Sequence, residues 1–156
     1  MKISIANINE VAPYKVKEGN KGSLLFSTDV GDDYEVSFIE DEAILSGLLA
    51  YHLSFYPVKE SGKFDKKISI TILAIIESVL MENIGAIIYI TDDADNKGYC
   101  RNRLFMRWFA YSQRIKGDRY ILMPIADRAG VIIRNDNPYK NKYLSAVEGI
   151  NSELQK

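Results

Sequence analysis

Two short stretches carry side chains whose types and spacing could do chemistry. The first is "YITDDADNKGYCRNRLFMRWF", residues 89–109. Asp92, Asp93 and Asp95 crowd the end of an apolar run, and Arg101 stands six residues beyond the last of them. Carboxylates there can cap a following helix and meet its positive end, or can face a cation. Three nearby carboxylates with no matching ligand elsewhere are a weak metal signal, and no metal site is expected. On a helical wheel Arg101 points with Leu104, Phe105 and Trp108. The spacing therefore predicts a partly buried guanidinium paired with Asp92 or Asp93, or an anion shared between Arg101 and the helix N-terminus. Breaking a buried pair of this kind costs about 3–5 kcal/mol.

The second stretch is "KESGKFDKKISI", residues 59–70. Lys63, Lys66 and Lys67 gather beside Gly62 at the start of a helical pattern, where a cluster of cations can be a solvated loop or a phosphate site. His52 is the sole histidine, so a zinc site rich in histidine is excluded and no serine–histidine–acid triad can be assigned. Cys100 is the sole cysteine. Tyrosine phosphatases place an arginine six positions after their cysteine, and Met106 occupies that position here. A small, buried or half-buried cysteine is expected.

These residues need elements to position them. "SLLFSTD" and "YEVSFIE" flank the turn-forming "VGDD" and predict a hairpin. "MKISIANI" alternates and reads as an edge strand, "APYKVKEG" as a further short strand, and Tyr51 to Tyr56 as a strand ending at Pro57. Ile68, Ile72, Ile75, Ile76, Val79 and Leu80 share one side of a helix, with Asp65 as N-cap and Gly85 as its stop. "AIIYI" is a nearly continuous apolar run, the pattern of a strand covered on both faces. A second helix over about 98–114 buries Leu104, Phe105, Trp108 and Phe109 and turns Arg103, Arg107 and Arg114 outward. "RYILMPI" and "GVIIRND" predict two strands joined at "ADRAG". A terminal helix opens at Asn137–Pro138 with Tyr143, Val147, Ile150 and Leu154 as its stripe; it packs on the sheet or against its equivalent in a homodimer.

A chain of 156 residues, 47% hydrophobic and 26% charged, fits one α+β domain over residues 1–156 with an ordinary soluble composition. The net charge of −1 argues against nucleic acid as the partner. No long apolar run marks a signal peptide or a membrane span, so a cytoplasmic location is the expectation. The fold expected is a mixed, mainly antiparallel sheet with two to three packed helices.

The acidic loop leading into "RLF..WF", together with "FSTDVGDDYEVSF" before it, resembles a family of short uncharacterised Bacteroidetes proteins, from about Leu24 to Ile125. That resemblance implies no established activity. The element order also resembles the core of the GNAT acetyltransferases, and this implies acyl-CoA bound by backbone amides at "KESGKFDKKISI", around Gly62, Lys63, Lys66 and Lys67. The GNAT pattern Asn-x-x-Ala-x-x-Leu-Tyr is matched in spacing by Asn102, Phe105 and Trp108. Its tyrosine position is Phe109, which has no proton to give, leaving His52 or Glu60 as a base. Two function classes follow: an acyl-CoA-dependent N-acyltransferase or a degenerate relative, and a non-catalytic protein-interaction module using the acidic loop and the arginine-rich helix.

Overall fold

The structure is a computed structural model, and it describes residues 1–58 and 65–156. The fold is α+β. Its strands, β1 (Lys17–Glu18), β2 (Leu24–Ser27), β3 (Asp33–Asp41), β4 (Ala50–Pro57), β5 (Ala86–Ile90), β6 (Tyr120–Ile125) and β7 (Ala129–Arg134), hydrogen-bond in the order β1-β2-β3-β4-β5-β7-β6 as a mixed sheet of seven, and four α-helices accompany it among the described residues. Two compact units make up the chain, Met1–Ile39 with Leu53–Asn83 and Glu40–His52 with Ile84–Lys156.

The first unit is organised by α2 (Lys66–Glu82). Asp65 caps it as expected, its carboxylate accepting the Ile68 N–H at 2.9 Å. Ile68, Ile72, Ile75, Ile76, Val79 and Leu80 are all buried, the stripe that the period predicts. The end differs from expectation. Asn83, not Gly85, is the C-cap, and its Nδ2 donates to the carbonyls of Val79 (2.8 Å) and Lys2 (2.7 Å).

The N-terminal segment corrects a second expectation. Residues Ile5–Val11 form α1, not a strand, because Ser4 accepts the Asn7 N–H and seeds a helical turn. Only Ile8 of this helix is buried, and α1 packs on α2. The alternation Ile3–Ile5 is too short to outweigh a cap.

The rest of the unit is the expected hairpin. β2 (Leu24–Ser27) pairs antiparallel with β3 (Asp33–Asp41), from Leu24↔Val36 to Ser27↔Asp33. Gly31 holds φ at +86° in the turn between them, a region that side chains rarely tolerate. β1 (Lys17–Glu18) adds two residues to the edge. Tyr14, Phe26 and Tyr34 stack in series at 6.0 and 5.3 Å between ring centres. β4 (Ala50–Pro57) contains the strand predicted over Tyr51 to Tyr56.

In the second unit β5 (Ala86–Ile90) pairs antiparallel with β7 (Ala129–Arg134), which in turn pairs with β6 (Tyr120–Ile125). The first four residues of β5 are buried, as its apolar run demands. α4 (Lys140–Leu154) packs on β6 and β7, and Tyr143 and Val147 join Ile88, Met123, Val131 and Ile133 in one core. The Tyr143 hydroxyl donates to the Leu49 carbonyl at 2.6 Å. Ile150 is half-buried and Leu154 exposed, so the stripe is covered within this chain over its first half. Asn137 and Pro138 lie in the turn before α4; the Asn137 side chain accepts the Tyr139 N–H at 2.8 Å and donates to the Ile84 carbonyl at 2.8 Å.

Gly85 serves packing in this unit instead of helix termination. A Cβ there would lie 2.7 Å from the Tyr51 ring and 3.1 Å from the Leu49 carbonyl oxygen. No helix among the described residues is long and apolar enough to cross a membrane.

Candidate functional site

The acidic loop joins β5 to α3 (Gly98–Lys116) and sets the start of that helix. Each aspartate has a local task. Asp92 accepts the Ala94 N–H at 3.0 Å, Asp93 the Gly98 N–H at 3.0 Å, and Asp95 the Lys97 N–H at 3.1 Å. The Thr91 hydroxyl lies within 2.8 Å of the Gly98 carbonyl and 2.9 Å of the Arg128 carbonyl, tying both ends of the loop together. Gly98 has no room for a side chain, since a Cβ would lie 2.9 Å from Asp93 Oδ1 and 3.0 Å from both the Arg128 side chain and the Asp92 carbonyl.

Arg101 meets the loop, but not through the carboxylates expected. Its guanidinium donates in a fork to Asp95, at 2.7 Å to Oδ1 and 2.5 Å to Oδ2, and takes the Asp92 backbone carbonyl at 2.8 Å. The Asp93 carboxylate lies 3.5 Å from Arg128 Nη1 instead. The Arg101–Asp95 pair is exposed, at 44% and 46% of the two side chains. The expected partly buried guanidinium is therefore corrected to a surface fork. Hydrogen bonds from Arg101 hold the Asp95 carboxyl well below the usual carboxylate range. At the entry to α3 the Gly98 and Lys97 N–H groups are taken by the carboxylates of Asp93 and Asp95. No group of three or more metal-ligating side chains occurs among the described residues.

The helix itself is rotated from its sequence reading. Its buried residues are Gly98, Asn102, Phe105, Phe109 and Ser112. Leu104 is 38% exposed and Trp108 half-buried, whereas both are predicted in the core stripe. The cause is Asn102, a polar residue that the core accepts because both ends of its amide are satisfied. Its Oδ1 receives the Tyr89 hydroxyl at 2.7 Å and its Nδ2 donates to the Asp127 carbonyl at 3.0 Å. The Tyr89 ring lies 4.3 Å from that of Phe105, and burial pushes its phenol well above the usual range.

The rotation leaves two ridges in solvent. Arg103, Arg107 and Arg114 form one, as the spacing predicts, and all are exposed. Leu104, Trp108, Tyr111 and Ile115 form the other, with Tyr111 46% and Ile115 65% exposed. Arg103 sits over the Tyr99 ring at 5.6 Å. α3 carries Arg101, Arg103, Arg107, Arg114 and Lys116 and no acidic residue. Sequence reading finds the arginine ridge and misses the apolar one, whose 4-3-4 spacing is its only signal.

The remaining candidates are scattered. Gly62 and Lys63 of the anticipated acyl-CoA site, and Glu60, lie outside the described residues. Lys66 is exposed. Lys67 is held by Asp29 at 2.9 Å, which raises its pKa, and sits 5.7 Å above the Tyr14 ring. The Asp65 carboxylate takes the Tyr14 hydroxyl as well as the first turn of α2. His52 is partly buried with Nε2 3.5 Å from the Asp41 carboxylate, which also accepts the N–H groups of Ala43 (2.7 Å) and Ile44 (3.1 Å). Cys100 is exposed, against the expectation of burial, because it lies opposite the Asn102 side of the helix.

DUF6169, a family of unknown function, matches residues 64–148, more than half of the chain. The chain belongs to this family. The DUF6169 match runs from α2 through the acidic loop and α3 into α4, so it contains the whole ridge-bearing helix and the loop that anchors it. No curated protein matches the chain.

Proposed function

We propose that this DUF6169 protein is a non-catalytic protein-interaction module whose recognition element is the outer face of α3, held in place by the acidic loop. One observation carries the reading: in a chain of net charge −1, a 19-residue helix gathers five cations and no acid and exposes an apolar ridge beside them. Exposed apolar surface rimmed by charge is the composition of an interaction site. The loop chemistry supports it too. The aspartates spend acceptors on the N–H groups of Ala94, Lys97 and Gly98, which makes them a brace for the helix entry.

The N-acyltransferase reading has less support. Phe109, at the position of the GNAT tyrosine, is buried. Of the lysines expected to meet a CoA phosphate, Lys67 already has a carboxylate partner, and Asp65 occupies the first turn of α2.

A photo-crosslinking residue in place of Tyr111, in cells that make the protein naturally, tests the proposal. A discrete protein adduct that disappears on Arg107→Glu is the expected result. Absence of any adduct at that position, with a thermal shift on adding CoA or acetyl-CoA, would reverse the preference between the two readings. A ligand at 100 times its dissociation constant adds about 2.7 kcal/mol of stability, which such a scan detects readily.

A further inference from the structure

The ridges on α3 specify more than a generic partner. With 100° between successive residues, Arg103, Arg107 and Arg114 fall in one line, and Leu104, Tyr111 and Ile115 in a second line about 80° around the helix. Both lines are exposed and run along the helix axis. The apolar line spans eleven residues, about 17 Å of helix at 1.5 Å per residue. Its repeat, completed by the half-buried Trp108, is the alternating four-and-three spacing by which one helix takes the side chains of another.

We infer that this face of α3 seats an acidic amphipathic α-helix from a partner protein, its apolar stripe on Leu104, Tyr111 and Ile115 and its carboxylates along Arg103, Arg107 and Arg114. The inference rests on the reading of α3 as a recognition element and adds the chemistry of what it recognises. Charge complementarity selects the occupant. The three ridge arginines form no ion pair among the described residues, whereas Arg101 is paired with Asp95. A second copy docking this same face antiparallel would set one arginine ridge beside the other, a like-charge contact that costs affinity, and a parallel copy would leave both ridges without carboxylate partners, since α3 has no acidic residue. A nucleic acid would use the arginines but has no use for the branched aliphatic side chains at Leu104 and Ile115. Arginine forks bind carboxylates through paired N–H donors, and the neighbouring apolar line fixes the register.

The test uses the full chain and three fluorescently labelled probes. One is a designed 18-residue helix with leucines at heptad spacing flanked by glutamates. The others are a scrambled peptide of the same composition and a single-stranded oligonucleotide. Anisotropy should show the designed helix binding at least tenfold more tightly than either, with a gain in helical circular dichroism on mixing. Arg107→Glu and Leu104→Ser/Ile115→Ser should each weaken that binding at least tenfold, while circular dichroism of the unbound variants confirms that they stay folded. Added salt should weaken binding by the wild type more than binding by Arg107→Glu, because the arginine ridge supplies the screened part. Equal binding of the scrambled peptide, or tighter binding of the oligonucleotide without loss in Leu104→Ser/Ile115→Ser, would overturn the inference yet leave α3 as a recognition element. Failure of every probe at millimolar concentration would overturn the inference as well. The Tyr111 crosslink judges the underlying reading independently.

Discussion

The Tyr89 hydroxyl and the Asn102 side-chain oxygen meet at 2.7 Å beneath α3, and this buried bond decides which face of the helix looks outward. Asn102 is 1% exposed and Tyr89 3%, so neither has water as an alternative partner. Asn102→Leu leaves the Tyr89 hydroxyl and the Asp127 carbonyl without that amide and should destabilise the protein by about 1–3 kcal/mol. Tyr89→Phe should lose less, and the double variant should lose less than the two single losses added together. Urea unfolding of the four proteins measures this. Strict additivity would mean that the two groups do not depend on each other.

The same tyrosine gives a pH dependence with a definite sign. Burial raises its phenol pKa in the folded state, so folding favours the neutral form. The contribution is complete below the unfolded tyrosine pKa of about 10 and is lost as pH rises from there through the folded value. Stability of the wild type should therefore fall more steeply above pH 10 than that of Tyr89→Phe. Parallel denaturation midpoints across that range would show the phenol to be solvated.

Arg101 behaves as a surface residue in this structure. Arg101→Met should shift the urea midpoint no more than Arg107→Ala does, because an exposed pair is screened and entropically costly to hold. Asp95 has a lowered pKa, so what the pair contributes is present above the ordinary carboxylate pKa of about 3.9 and lost as pH falls through the lowered value. Wild type and Arg101→Met should converge in strong acid. A loss at neutral pH well beyond that of Arg107→Ala would mean that the fork organises the loop.

Two glycines should respond oppositely to alanine. A Cβ at Gly130 would lie 2.6 Å from the Tyr89 hydroxyl and 2.7 Å from its ring, so Gly130→Ala must displace that ring and should cost about 1–3 kcal/mol. Gly149 lies inside α4 with nothing within 4 Å of such an atom, and Gly149→Ala should add about 0.5–1 kcal/mol by relieving the helix of its most flexible residue. Thermal unfolding of both variants reads the signs directly.

α4 should prove to be part of its unit's core. Tyr143→Phe removes the hydrogen bond to Leu49 and should cost about 0.5–1.5 kcal/mol, whereas Tyr143→Ala also empties a buried site and should cost about 3–5 kcal/mol. Removing residues 138–156 should expose Met123, Val131 and Ile133 and lower solubility. A truncated protein as soluble and stable as the full chain would reduce α4 to an appendage.

Much of the architecture is local and was legible in the sequence. The stripe and aspartate cap of α2, the hairpin around "VGDD" and the apolar run of β5 each follow from spacing and turn chemistry acting over a few residues. So does the outward line of Arg103, Arg107 and Arg114. Tertiary structure decided whatever depends on a partner distant in the chain. Apolar counting centres the buried arc of α3 near Arg101; Tyr89 and the Asp127 carbonyl instead admit Asn102 to the core and turn Leu104, Tyr111 and Ile115 into solvent. Gly85 looks like a helix stop until the Tyr51 ring fills the space beside it. Among three equivalent aspartates, only the folded loop places Asp95 in the fork of Arg101, because its turns carry the other two toward Ala94 and Gly98. Periodicity tells which residues share a line on a helix. Which line is buried depends on which polar groups the rest of the fold can satisfy.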